Sequence, residues 1–101
     1  MEERKKFLTA IRKDNICGKE DEPLAMLIMG ALTKGPNFRK ACAFAKLSRN
    51  DERAKKWWIN LHEGGFITSK RVYFNPESEN SGIEFALALN IGKGYIKMKH
   101  D

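Results

Sequence analysis

Apolar and polar positions along the chain change period several times, and each period predicts an element. From Glu3 to Lys13 the apolar residues Phe7, Leu8 and Ile11 form a narrow stripe on an otherwise charged segment, the mark of an amphipathic helix. That helix either covers the domain's own core or packs against its copy in a second subunit. Asp21, Glu22 and Pro23 open a second helix, since carboxylates complement the positive end of the macrodipole and proline is tolerated in the first turn. Leu24 to Leu32 is apolar almost all round, so this helix is buried on more than one side, and Lys34-Gly35-Pro36 ends it. Asn37 caps a third helix, Phe38 to Leu47; Phe38, Ala41 and Ala45 face inward, with Phe44 a further candidate. In a fourth helix, Asn50 to Glu63, the residues Ala54, Trp58 and Leu61 recur at i, i+4 and i+7 and share one face. Ser48 is placed as its cap, with Asp51 as the reciprocal residue of an approximate capping box, and Gly64-Gly65 stops it.

The period then shortens. Ile67 to Phe74 reads as a strand, with β-prone Val72, Tyr73 and Phe74. Residues 75–82, rich in Asn, Pro, Glu, Ser and Gly, read as a loop. Ile83, Phe85, Leu87, Leu89 and Ile91 alternate with Glu84, Ala86, Ala88 and Asn90, which predicts a second strand. Gly92-Lys93-Gly94 breaks it, and Tyr95 to His100 is either a short helical turn or a tail. The expected fold is α+β: helices first, then a two-stranded hairpin.

Length bounds the rest. At 101 residues the chain makes one domain, divided into an N-terminal helix and connection (1–20), a helical core (21–67), the hairpin (67–91) and a tail (92–101). A hydrophobic content of 42% with 32% charged residues fits a folded globular chain. No apolar run approaches the roughly 18 to 20 residues of a membrane helix, and the first residues lack a signal-peptide core, so the expected place is the cytoplasm, or a host's cytoplasm. Cys17 and Cys42 form no CxxC pair, and the only histidines are His62 and His100. A four-ligand zinc site is not spelled out, and the thiols read as structural.

Charge changes the picture. The net charge of +6 is unevenly distributed: residues 34–73 hold ten Lys/Arg against three Asp/Glu, while residues 1–33 balance at six and six. A concentrated cationic segment points to an anionic partner, nucleic acid first. The order of three helices with a short turn before the last, together with the segment LHEGGFI (Leu61 to Ile67), resembles winged helix-turn-helix DNA-binding domains of the MarR and PadR kinds. The resemblance spans about Leu24 to Ile91. It implies a winged-helix fold in which the fourth helix enters the DNA major groove and the hairpin is the wing. It implies double-stranded DNA as partner, a homodimer as the working form, and transcriptional regulation as the role; so compact a chain suits a phage, virus or plasmid regulator. Arg49, Asn50, Arg53 and Lys56, with Asn60 on the same outer face, then reach base edges or nearby phosphates, because Arg and Asn can form two bonds to guanine and adenine edges. Arg39, Lys40, Lys70 and Arg71 hold the backbone. Trp57, bordering the apolar face, is assigned to the core, to the DNA side or to a partner.

The wing tip departs from that pattern. It carries Glu77 and Glu79 and no cation, so it either points away from the duplex or meets a protein partner. The alternative function is accordingly a protein-interaction module within a replication or transcription complex. Gly92-Lys93-Gly94 lacks the flanking residues of a phosphate-binding P-loop. No Ser/His/Asp or Cys/His arrangement can be argued, so neither an enzyme nor a cofactor is expected.

Overall fold

The computed structural model describes residues 2–74, 79 and 81–96. Among the described residues five α-helices follow one another: α1 (Glu2–Lys13), α2 (Glu22–Lys34), α3 (Phe38–Ala45), α4 (Glu52–Glu63) and α5 (Ser81–Lys93), with a 3₁₀ turn at Lys19–Asp21 before α2. The first four lie close to where the apolar periods put them.

α2 is the centre. Leu24, Ala25, Leu27, Ile28 and Ala31 are at most 1% exposed, as a helix apolar on nearly every side requires. Ile11 of α1, Ala41 and Cys42 of α3, Ala54 and Leu61 of α4, and Ala88 and Ile91 of α5 complete the same core. The helices approach closely at glycines. A Cβ on Gly30 would lie 2.7 Å from the Ala41 carbonyl oxygen and 2.9 Å from its Cα, so α3 rests its backbone directly on α2. A Cβ on Gly92 would lie 2.8 Å from Leu24 Cδ1, and one on Gly64 would overlap the Ile91 side chain, which seats α5 against α2 and α4. α1 covers this same core: Phe7 meets Phe85 edge-on at 5.5 Å, and Arg12 forms a forked pair with Glu22.

Four helices end alike. Asn15, Lys46, Gly65 and Gly94 each take φ between 53° and 83° just past α1, α3, α4 and α5. After each, the next amide reaches back five residues: Ile16 to Ile11, Leu47 to Cys42, Phe66 to Leu61 and Tyr95 to Asn90, at 2.9–3.1 Å. This is the Schellman arrangement, with an apolar residue following the left-handed one every time.

The α+β winged-helix expectation does not hold. Among the described residues the fold is all-helical, with no strand; Ile67 and Val72 form one isolated antiparallel bridge. The pairing stops there because Thr68 closes on Arg71 at once: Thr68 N–H donates to the Arg71 carbonyl (2.9 Å), and only Tyr73 N–H to the Phe66 carbonyl (2.8 Å) extends it. Ile83 to Ile91, the expected second strand, belongs to α5. Its alternation treated Ala86 and Ala88 as an outer face, yet alanine is the strongest helix former, and nine residues exceed the commonest strand length of about 5–6. In the helix, Phe85, Ala88, Leu89 and Gly92 recur at i, i+3, i+4 and i+7 and are buried, whereas Ile83 is 70% exposed. Of the expected loop 75–82, residues 75–78 (with wing-tip Glu77) and 80 lie outside the described residues, as do residues 97–101 of the tail; Ser81 and Gly82 belong to α5, and Glu79, Tyr95 and Ile96 are exposed.

Candidate nucleic-acid interface

The candidate surface is built on α3, the connection 46–51, α4 and the turn 68–71. Asn37 caps α3 as expected, its carboxamide oxygen accepting from Lys40 N–H at 3.1 Å. That cap fixes the first turn, which carries Arg39 and Lys40 into solvent. Phe38 in the same turn packs on Trp58 at 5.5 Å, so the start of α3 lies beside α4.

The cap of α4 is Asp51, three residues later than the sequence suggested. Its carboxylate accepts from Arg53 N–H (2.8 Å) and Ala54 N–H (3.3 Å). Ser48 Oγ instead accepts from Asn50 N–H at 3.1 Å and shapes the preceding turn. Arg49 and Asn50 therefore sit in the connection, both exposed, and not on the helix. Asp51 lost out as a capping-box partner because a carboxylate is itself a strong cap. Desolvation pushes its pKa up, but the Ala54 and Arg53 amides and the Arg53 guanidinium outweigh this and hold the carboxyl below its ordinary value.

Arg53 is held from two sides. Its guanidinium lies 3.5 Å from Asp51 Oδ2 and 5.4 Å from the centre of the Trp57 ring. Trp57 is thus a half-buried platform for an arginine. Trp58, expected in the core, is also only half-buried, between Phe38 and the edge of His62 at 5.7 Å; the fully buried residues of α4 are Ala54 and Leu61. Lys56 is exposed and makes no ion pair among the described residues. Asn60 is turned elsewhere: its Nδ2 donates to the Gly92 carbonyl at 2.8 Å, tying α4 to α5. The outermost stripe of α4 is Glu52, Lys55, Lys56, Ile59 and Glu63, with Lys55 and Glu52 paired at 3.6 Å. Two carboxylates oppose two amines there, and Ile59 stands 54% exposed between them, a feature the periodicity did not reveal.

Lys70 and Arg71 occupy the turn just beyond α4. Thr68 Oγ1 accepts from both their amides (3.2 and 3.1 Å), and the Arg71 guanidinium lies 4.0 Å over the Tyr73 ring. The cations thus gather at the two ends of α4. Arg49 and Arg53 lie at its start, and Lys70 and Arg71 follow its end in sequence. No protein-family model, no curated protein and no solved structure matches the chain.

Other chemistry finds little support. Burial pushes both thiols up, for Cys17 with help from Asp21 and Glu22 and for Cys42 with help from Asp51, so neither is poised as a thiolate. Among the described residues no group of three or more His, Cys, Asp or Glu could hold a metal ion, and no helix is long and apolar enough to cross a membrane.

Proposed function

We propose that the protein binds double-stranded DNA sequence-specifically, as a small transcriptional regulator, with the N-terminal end of α4 directed at the major groove. One observation carries this reading. All ten Lys and Arg of residues 34–73 are exposed, and only Arg53 and Lys55 are paired with carboxylates among the described residues. The segment's excess charge is therefore available to an anionic partner. In this reading Lys70 and Arg71 meet one DNA backbone, and Arg39, Lys40 and Arg49 are available to the other. Arg53, steadied by Asp51 and Trp57, is the best-placed reader of a base edge, and Asn50 and Lys56 flank it. Asn60 is left out of the contact set because its amide serves α5.

Two copies acting on paired half-sites belong to the same reading, since one domain of this size has a small footprint. Light scattering with and without duplex checks this.

The deciding experiment is selection of bound sites from random duplexes, followed by affinity measured across salt concentrations. Recovery of a consensus, a steep fall of affinity with salt, and a loss of roughly 1–3 kcal/mol for Arg53→Ala at one base position are expected. If folded Arg53→Ala and Lys56→Ala bind every duplex as the parent does, α4 does not meet the groove. Exposed Ile59 favours the second reading, docking of a partner protein on the outer face of α4. Sequence-independent or absent DNA affinity, with a complex lost in Ile59→Asp, supports that instead.

A further inference from the structure

A second cationic feature lies away from the outer face of α4. α1, the 3₁₀ turn, the start of α2 and the end of α3 enclose a cleft of about 290 Å³ lined by Arg4, Arg12, Lys19 and Lys46, with Glu22 as its one carboxylate and Met26 in its apolar lining. Four cations face one anion, and that anion is already engaged: Glu22 Oε1 and Oε2 accept from Arg12 Nη2 and Nε at 3.1 and 3.2 Å. Glu22 is 15% exposed in its side chain and Arg12 58%, so the carboxylate lies beneath the guanidinium. The fork leaves Nη1 and one Nη2 hydrogen of Arg12 for another acceptor. Arg4 lines the same cleft as its fourth cation. An oxyanion in the cleft answers the charge imbalance.

We infer that this cleft binds a phosphate group, with Arg4, Arg12, Lys19 and Lys46 as its donors. A phosphate offers four cations more acceptor oxygens than a carboxylate does, and the remaining volume accommodates an organic body against Met26. The phosphate comes either from a free phosphomonoester or from a nucleic-acid backbone. Lys46 leads directly into the connection that carries Arg49 and the Asp51 cap, so an occupied cleft would steady the entry to α4.

The site is tested on the full chain with pyrophosphate as probe, at low ionic strength, by amide chemical shifts. Saturable shifts are expected around Leu8, Arg12 and Leu47. Arg4→Gln and Lys46→Gly are each expected to weaken binding about tenfold, the usual weight of a hydrogen bond to a charged group. Lys46 has φ 57°, a conformation in which glycine is more comfortable than lysine, so Lys46→Gly removes the charge and keeps the fold. Lys5→Gln, exposed on α1 and outside the cleft, leaves the affinity unchanged. Shifts that fail to saturate, that spread evenly over all basic residues, or that persist in folded Arg4→Gln and Lys46→Gly overturn the inference. A duplex titration separates the sources: loss of both affinities in Lys46→Gly identifies a backbone phosphate. Loss of pyrophosphate affinity alone identifies a free phosphomonoester, and that result stands even if the chain binds no DNA.

Discussion

Replacing Gly30 with alanine examines the contact on which the placement of α3 depends. On helix propensity alone the change stabilises, by roughly 0.8–1 kcal/mol in a helix interior. Packing opposes it. The new methyl would lie 2.7 Å from the Ala41 carbonyl oxygen and 2.9 Å from its Cα, both backbone atoms that no rotamer change can move aside. Relief requires α3 to shift from α2 by several tenths of an ångström, which also disturbs buried Cys42, Phe44 and Ala45 on the same helix. Overpacking of a closed core costs about 1–3 kcal/mol, and a clash with main chain belongs at the upper end. The net is a loss of about 2 kcal/mol, or a fall in Tm of roughly 8–16 °C for a domain of this size. Thermal unfolding followed by far-ultraviolet circular dichroism measures it. Gly82→Ala is the control: a Cβ there meets nothing within 4 Å, and since Gly82 lies in the first turn of α5, its stability should match the parent or rise by up to about 1 kcal/mol. If Gly30→Ala proves as stable as the parent or more so, α3 does not rest its backbone on α2, and the surface assembled from α3 and α4 needs another geometry.

Other substitutions probe the remaining elements. Leu61→Ala opens the core beneath α4, where Leu61 is 0% exposed, and should cost about 2–5 kcal/mol in denaturant unfolding. Ala86 is exposed on α5, so Ala86→Val should destabilise by a few tenths of a kcal/mol through helix propensity; a gain in stability would instead favour a strand at 83–91. Glu22, hydrogen-bonded by Arg12, and Asp51, where the amide and Arg53 bonds outweigh desolvation, both have carboxyls held below their ordinary values of 4.5 and 3.8. A lowered folded pKa gives stability that is present above the ordinary value and lost as pH falls through the folded one. Acid titration of the unfolding midpoint should therefore show a loss beginning below about pH 4.5, and Arg12→Gln should remove the share due to Glu22.

The sequence by itself determined the helices whose signals are local. α1 to α4 follow from the period of Phe7 and Ile11, the unbroken apolar run from Leu24, the Asn37 cap, and Ala54 with Leu61, because a helix closes its hydrogen bonds within its own segment. The exposure of Arg39, Lys40, Arg49, Arg53, Lys56, Lys70 and Arg71 was legible for the same reason: charged side chains without buried partners stay in water. A further local signal was present and unread. Asn15-Ile16, Lys46-Leu47, Gly65-Phe66 and Gly94-Tyr95 each end a helix, the last marking the end of α5. Tertiary structure alone decided the second half of the fold. Ile83 to Ile91 is apolar enough for either period, and the choice rests on Gly92 letting the helix settle on Leu24 and on Gly64 leaving room for its Ile91. Asn60 looked like an outward-facing residue because helical spacing cannot say that a later helix covers it; its amide went to Gly92, 32 residues away. The cleft of Arg4, Arg12, Lys19 and Lys46 was hidden for the same reason, since only folding brings cations from three separate segments around one carboxylate.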